Sequence, residues 1–228
     1  MHIEYKSDYQ GPNVRIAIQF VTKSGPLTIR RAIIVKSEGL KMNLSPIKLA
    51  EHPQLMITAV CTGIVNAPSV IQIKYTQNAQ ERSLDFSLPI FVHKFMQPHN
   101  IPEDNYRQFY DEYSSTENPS IFKLDEFIPN PAPPNVPLSQ VLQKFGSLFG
   151  GGLKIKANAW PNSQNIKQVW GTSQYCYKPE NDMVMLPILV EVEAYEECTD
   201  TLRLSIRAGG SPFLVQALYQ IIMYFVAT

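Results

Sequence analysis

The sequence is poor in cysteine and glycine and carries no net charge. The few cysteines and the balanced charge each disfavour a class of protein. Its 228 residues include only Cys61, Cys176 and Cys198, which lie far apart and form no CxxC pair. We interpret them as buried free thiols in a reducing compartment, because an extracellular immunoglobulin-like module would need paired cysteines. The 18 prolines outnumber the 11 glycines, so many turns are stiff.

Charge and hydropathy disfavour two further classes of protein, general nucleic-acid binders and membrane-spanning proteins. Basic and acidic residues number 20 each, which disfavours a general nucleic-acid binder, whose affinity comes largely from neutralising phosphates. The longest apolar run, at 213–227, is too short for a membrane span of about 20 residues, and two glutamines interrupt it. Ser211 and Pro212 instead predict the start of a C-terminal helix packed on a sheet. The N-terminus carries no secretory signal and soon enters strand-like sequence, which indicates a piece of a longer chain.

No motif of a common enzyme class is present. The sequence has no HExxH, Walker loop, GxGxxG or GxSxG pattern. The nearest feature is an acidic run in which strand alternation places Glu191 and Glu193 on one face, as acid–base or metal chemistry would require. We interpret this run as a solvated strand end, and a hydrolase using these two carboxylates is the enzymatic alternative. The sequence therefore predicts a non-enzymatic protein without a metal or cofactor.

The first 94 residues have the alternation of β-strands. Residues 14–21, VRIAIQFV, place Val14, Ile16, Ile18 and Phe20 on one face. Further strand-like segments follow, separated by turn residues: LTIRRAIIVK, LMITAVCT, VIQIKYT and RSLDFSL. Half a dozen or more short strands without a convincing helix predict an antiparallel, immunoglobulin-like β-sandwich over residues 1–94.

Helices and strands mix over residues 95–228. Helices are predicted for 101–115 and, after a proline-rich break, for 138–149, where apolar residues form one stripe. Four strand-like segments and the C-terminal helix follow: LKIKANAW, KQVWGTSQYCY, MVMLPILVEVE and TLRLSIRA. This pattern predicts an α+β unit with helices against an antiparallel sheet.

The helix predicted for IPEDNYRQFYDEYSS has an unusual density of large rings. Tyr106, Phe109, Tyr110 and Tyr113 recur at i, i+3, i+4 and i+7 and so share one helical face. The ordinary interpretation is that this stripe is the core face of the helix. One short helical face buries only two or three such rings, however, so the alternative is that some of them face water.

Residues 71–98 contain Leu-Pro-Ile at 88–90 and Lys-Phe-Met-Gln-Pro at 94–98. Shorter motifs follow, which are Ile-Phe-Lys at 121–123, Phe-Gly-Ser at 145–147 and Arg-Leu-Ser-Ile-Arg at 203–207. By the first two motifs, residues 71–98 resemble the segment that joins the two halves of the alpha-adaptin appendage, or ear, of the plasma-membrane clathrin adaptor complex, and the resemblance continues through the shorter motifs. Met96 stands where the family has an aromatic residue. The alpha type fits better than the beta or gamma types, and an appendage of a related coat adaptor with different peptide specificity is the alternative.

The resemblance implies a β-sandwich followed by a platform whose first helix presents aromatic rings to solvent. In this family the rings bind short disordered peptides of the Asp-Pro-Phe/Trp and Phe-x-Asp-x-Phe types from endocytic accessory proteins. The resemblance further implies that the protein is cytoplasmic and is peripheral at plasma-membrane clathrin-coated pits. Other adaptor subunits would be contacted through the rest of a longer chain, with no nucleic acid bound and no direct membrane insertion.

The resemblance also assigns peptide-binding residues. The family's exposed aromatic pair falls on Tyr106 and Phe109, with Phe109 in place of a tryptophan, while Tyr110 or Tyr113 would pack inward. The smaller ring without an indole N–H implies an altered peptide preference.

The charged positions of the family site are less well matched. Its arginine pair falls on Arg203 and Arg207, which would meet the acidic residue of a peptide. A further family arginine falls near Glu191, which would repel such a peptide, and Glu117 is the counterpart of an acidic residue after the helix.

Overall fold

The computed structural model describes residues 2–22, 25–47, 53–115, 118–131, 136, 140–141, 144, 154–157, 166–195 and 198–227. The described chain is mainly β, with antiparallel sheets and two helices, so the predicted β-rich α+β class is confirmed at that level. It divides into two compact units. The first comprises Met1–Phe91 with Tyr177–Val184, and the second comprises Val92–Cys176 with Met185–Thr228.

The first unit contains two antiparallel sheets in its described part. Its strands are β1 (His2–Gln10), β2 (Asn13–Val21), β3 (Leu27–Lys36), β4 (Leu40–Ile47), β5 (Gln54–Cys61), β6 (Val70–Gln77) and β7 (Gln80–Ser87). One sheet has the order β1-β2-β5-β4 and the other the order β3-β6-β7. The sequence analysis missed β1 and β4, which are the two edges of the four-stranded sheet.

Each sheet of the first unit has one buried apolar face. The predicted face of β2 is confirmed, since Val14, Ile16, Ile18 and Phe20 are all buried. The neighbouring strand β5 buries Leu55 and Ile57 on the same period of two, and β6 buries Ile71 and Ile73. Alternate residues of these strands are more exposed, as expected for sheets that meet water on one side.

The second unit is built on one large sheet. It begins with a 3-10 turn at Val92–Phe95, and a second at Glu103–Asn105 precedes helix α1. The longer elements are β8 (Met96–Pro98), α1 (Tyr106–Ser114), β9 (Ile121–Pro129), β10 (Lys154–Ala157), β11 (Ile166–Tyr177), β12 (Val184–Tyr195), β13 (Cys198–Gly209) and α2 (Pro212–Ala227). The sheet order is β10-β11-β12-β13-β9, and β8 pairs with β11.

The two faces of this sheet differ in chemistry. On one face β12 and β13 bury only apolar residues, such as Val190 and Ile206, which are register partners. The other face carries Leu189, Glu191 and Glu193 of β12, and their partners on β13 are Arg207, Ser205 and Arg203. Buried polar groups require partners, so this second face is where specific chemistry is to be sought.

The helices follow the sequence expectations in part. Helix α2 confirms the predicted C-terminal helix, and Ser211 Oγ accepts a hydrogen bond from the Phe213 N–H at 3.3 Å. Helix α1 begins at Tyr106, after the 3-10 turn, rather than around Pro102. Most of the helix predicted for 138–149 lies outside the described residues, although 140–141 and 144 are helical. No helix in the described part is both long and apolar enough to cross a bilayer.

Candidate functional site

Helix α1 lays its aromatic stripe over the polar face of the large sheet. Tyr113 is buried at 8% exposure and forms a cluster with Trp170 of β11 and Leu189 of β12. Tyr106, Phe109 and Tyr110 pack against this cluster and remain only partly buried. The stripe is therefore divided, since one ring completes a core and three lie at its boundary with solvent.

Contacts between rings hold this boundary layer in place. Phe109 stacks on Tyr113 with centroids 4.4 Å apart, and His99 meets Phe109 edge-on at 5.2 Å. Trp170 supports the other side of the stripe, with Tyr106 edge-on at 6.4 Å and Tyr110 tilted at 5.4 Å. The edge-to-face geometry of the His99–Phe109 and Tyr106–Trp170 pairs is a favoured arrangement for aromatic rings. The partly exposed rings are thus held in position by neighbouring rings of the same chain.

A buried ion pair on the sheet contacts the stripe through Tyr110. Arg207 Nη1 donates to Glu191 Oε2 at 2.7 Å, and the Tyr110 hydroxyl donates to Glu191 Oε1 at 2.8 Å. Glu191 is 2% exposed and Arg207 is 5% exposed. The interpretation of Glu191 as part of a solvated strand end is therefore wrong. Its charge is matched by Arg207 inside the protein.

The hydroxyls of Tyr110 and Tyr113 stay protonated. Burial, and then the negative charge of Glu191, raise the pKa of Tyr110 to about 12. Burial, and then the charge of Glu112, raise the pKa of Tyr113 to about 12 as well. Tyr110 therefore remains a hydrogen-bond donor to Glu191 throughout the neutral pH range.

Arg203 lies in a more open part of the same face. Its Nη1 contacts Glu193 Oε2 at 3.0 Å, its Nη2 contacts Asp125 Oδ2 at 3.7 Å, and its side chain is 33% exposed. Arg203 and Arg207 are four residues apart, which corresponds to about 13 Å along a strand. The two arginines of the predicted site therefore have different surroundings, one partly solvated and one buried.

Asp125 links this open part to the neighbouring strand. It accepts hydrogen bonds from Lys123 Nζ, at 2.6 Å, and from Ser205 Oγ. Burial alone would raise the pKa of Asp125, but these hydrogen bonds and the charges of Lys123 and Arg207 outweigh it and hold the pKa below its usual value. Asp125 therefore stays ionised, and it contacts the cations Lys123 and Arg203.

No protein-family model matches the sequence, and no curated protein matches it either.

The structure brings together some of the predicted residues and adds others. Tyr106 and Phe109 share the stripe, Glu191 and Arg207 form the pair beneath Tyr110, and Arg203 lies further along β13. Glu117 falls outside the described residues. The sequence analysis did not single out Trp170, because nothing local indicates which helix will cover a strand residue. It also gave no site role to His99, which directly follows β8.

The arrangement is suited to noncovalent binding. The described residues contain no group of three or more side chains that could hold a metal ion. Both oxygens of Glu191 are occupied by protein donors, and Glu193 is engaged by Arg203. What the site offers to a partner is a layer of half-buried rings with a partly exposed arginine on the same sheet face.

Proposed function

We propose that this chain is the appendage of a clathrin adaptor of the alpha-adaptin type, and that its second unit binds short peptides. In this proposal the first unit is the immunoglobulin-like β-sandwich, and the second unit is the platform that carries the peptide site. Support comes from the joining motifs at 88–90 and 94–98, the antiparallel sheets of both units, and the aromatic helix that opens the second unit.

The observation that carries the proposal is the layer of rings on α1. Tyr106, Phe109 and Tyr110 are partly exposed although each packs against the Tyr113–Trp170 cluster. A peptide phenylalanine or tryptophan can be buried against such rings, and fixed rings lose little conformational entropy on binding. We therefore assign Tyr106 and Phe109 as the contacts for an Asp-Pro-Phe/Trp or Phe-x-Asp-x-Phe motif.

The charged residues receive different roles from the same geometry. Arg203 is one-third exposed and can exchange part of its ion pairing for a peptide carboxylate. Arg207 is buried and bound to Glu191, so we assign this pair to positioning Tyr110 rather than to touching the peptide. Because Arg207 neutralises Glu191, repulsion of an acidic peptide by Glu191 is weakened.

An affinity of about 1–100 μM for one motif is expected, since a flexible peptide must be ordered around one or two inserted rings. Weak single sites suit a protein that gathers partners with repeated motifs, because avidity multiplies them. The proposal places the chain in the cytoplasm at plasma-membrane clathrin-coated pits, with endocytic accessory proteins as partners. The remainder of the subunit would join the other adaptor subunits.

A peptide titration followed by NMR tests the proposal. A short Asp-Pro-Phe peptide is expected to give saturable shifts around Tyr106, Phe109 and Arg203, and a peptide with alanine for the phenylalanine is expected to give none. Phe109→Ala should weaken binding by about 2 kcal/mol, or about 30-fold, as loss of a central aromatic anchor does.

Phe213→Ala provides the matched control. Phe213 is a 63% exposed ring on α2, outside the stripe, so its loss should leave the affinity unchanged. Absence of shifts at millimolar peptide would contradict the proposal. Saturable binding of a peptide that carries neither motif, without binding of the Asp-Pro-Phe/Trp and Phe-x-Asp-x-Phe peptides, would favour the related coat adaptor with different peptide specificity.

A further inference from the structure

The charged side chains on the polar face of the large sheet are matched in number. The registers of β12 against β13 and of β13 against β9 place alternate residues of the three strands on this face. The described residues of these strands contribute three cations and three carboxylates to it, which are Lys123, Arg203, Arg207, Asp125, Glu191 and Glu193. The three strands therefore give this face no excess of positive charge that would attract an acidic partner.

Two of the three cations are committed to carboxylates of the sheet. Arg207 is 5% exposed and donates to Glu191 at 2.7 Å. Lys123 Nζ lies 2.6 Å from Asp125 Oδ2. A peptide carboxylate that bound to either cation would have to break one of these short contacts, so the decisive question is what surrounds the third cation, Arg203.

Glu193 occupies the position on Arg203 that the carboxylate of a peptide would take. Arg203 Nη1 donates to Glu193 Oε2 at 3.0 Å, and Arg203 Nη2 lies 3.7 Å from Asp125 Oδ2. The side chain of Glu193 is 16% exposed, against 33% for Arg203, so the carboxylate is held mainly by protein. A peptide carboxylate must displace Glu193 or approach Arg203 with two other carboxylates nearby, and either event opposes binding.

Aromatic rings are exposed on the same face, on α1 and also beside Arg203. Phe127 of β9 is the register partner of Arg203 and is 67% exposed. The next residue, Ile128, points to the opposite face and is fully buried, so the exposed ring is not part of the core face of β9. Apolar surface is therefore available to a peptide on both α1 and β9, whereas the cation between them is already paired.

We propose that this site selects peptides by their aromatic residues and gains little from an acidic one, because Glu193 fills the place of the acid at Arg203. This inference rests on the proposed function and specifies the ligand class of the same site. Its partners would carry an aromatic anchor next to either a neutral or an acidic residue, without an obligatory aspartate. Glu193 determines this specificity through its contact with Arg203.

Calorimetric titration of the full chain with two peptides, in about 0.15 M salt, tests the inference. One peptide carries Asp-Pro-Phe, and the other has asparagine in place of the aspartate. The wild-type protein should bind both, with affinities that differ less than about 2-fold. Glu193→Gln keeps Arg203 and removes the competing charge, so it should tighten binding of the Asp-Pro-Phe peptide about 3- to 5-fold and of the neutral peptide less than about 2-fold.

Glu126→Gln is the matched control, because it removes the same charge from the opposite face of the sheet. Glu126 is exposed on β9 and directly follows Asp125, so strand alternation turns it away from Arg203. This variant should alter the affinity for either peptide less than about 1.5-fold, since salt screens distant charges. Circular dichroism should show that both variants keep the wild-type fold.

Three results would overturn the inference alone. A larger loss with the neutral peptide on the wild-type protein would show that Arg203 reads the acid despite Glu193. Unchanged or weaker binding of Asp-Pro-Phe by the Glu193→Gln protein would show that Glu193 positions Arg203 for the peptide. Equal tightening by Glu126→Gln would reduce the effect to overall charge.

Failure of the proposed function would give a different result. In that case neither peptide would bind to the wild-type protein or to the Glu193→Gln protein, and the inference would fall with the proposed function. In each of the three results above, by contrast, the wild-type protein still binds an aromatic peptide.

Discussion

At the scale of single residues, Glu191 and Arg207 determine how the aromatic helix is supported. Glu191 binds Tyr110 of α1 and Arg207 of β13 through different oxygens, so one buried side chain connects a helix with two strands. Removing one partner of such a pair leaves a buried charge without compensation, which costs more than the pair itself contributes. The pair therefore constrains the position of α1 more than it adds to stability.

Glu191→Gln should lower the free energy of unfolding by about 3 kcal/mol or more, because Arg207 would stay buried without its counter-charge. Urea unfolding monitored by far-UV circular dichroism measures this change. Glu193→Gln is the matched control, since Glu193 lies two residues away on the same face and pairs with the 33% exposed Arg203. Its cost should be at most about 1 kcal/mol. Equal losses in the two variants would contradict the role assigned to the buried pair.

The sequence indicated part of the site and could not indicate the rest. Strand alternation is a local property, so it correctly placed Glu191 and Glu193 on one face. The burial of Glu191 depends on Arg207, which is 16 residues further along the chain, and on α1, which is 81 residues before it at Tyr110. Such long-range packing leaves no periodicity around Glu191, and so a solvated end was the natural interpretation.

At the scale of elements, the two strands that the sequence analysis did not predict, β1 and β4, are those in which an alternating apolar pattern is least expected. β1 and β4 are edges of the sheet β1-β2-β5-β4, and every residue of β1 is exposed or partly exposed. Edge strands commonly carry polar residues and proline, as β4 does at Pro46. Central strands such as β2 and β5 alternate strictly, and they were predicted from that alternation.

The turn between β3 and β4 depends on a glycine. Gly39 has a φ of 70°, and a Cβ added there would lie 2.6 Å from the backbone oxygen of Ile64. Gly39→Ala should therefore lower the free energy of unfolding by about 2 kcal/mol or more, since both the φ angle and the neighbouring backbone oppose a side chain. Chemical denaturation of the full chain measures the loss.

Gly63→Ala is the control for that prediction. A Cβ at Gly63 would meet only the Cα of Gly39, at an ordinary contact distance of 3.6 Å, and its φ is not in the left-handed region. The variant should stay within about 0.5 kcal/mol of the wild type. A Gly39→Ala protein as stable as the Gly63→Ala protein would show that the turn can rearrange.

At the scale of the whole molecule, a net charge of zero conceals an uneven distribution. The carboxylates Glu191, Glu193 and Asp125 of the second unit are paired with cations, whereas Arg30, Arg31 and Lys74 of the first unit lie within 4.0 Å of no carboxylate oxygen in the described part of the chain. Composition correctly gives the total, but the register of β3, β6 and β7 decides which charges become neighbours. The β-bulge of β3 at Arg30, where the register against β6 shifts, changes the face of one residue, which no count of charges can show.

The free energy of unfolding should decline on mild acidification, because His93 and His99 of the second unit bind a proton less readily in the folded chain than in the unfolded chain. Burial, and then the charge of Lys94, lower the pKa of His93 to about 4, and burial also lowers the pKa of His99. Both side chains have a pKa of about 6.5 when the chain is unfolded. Between pH 6.5 and 4 the unfolded chain therefore binds more protons than the folded chain, and the free energy of unfolding falls as the pH falls.

Each histidine contributes a slope of at most about 1.4 kcal/mol per pH unit in this window. His93→Gln should reduce the slope between pH 6.5 and 4.5, as measured by urea unfolding at several pH values. Above pH 7.5 His93 is neutral in both states, so the two proteins should show parallel curves there. If the variant keeps the full wild-type slope below pH 6.5, His93 is not the group whose protonation opposes folding.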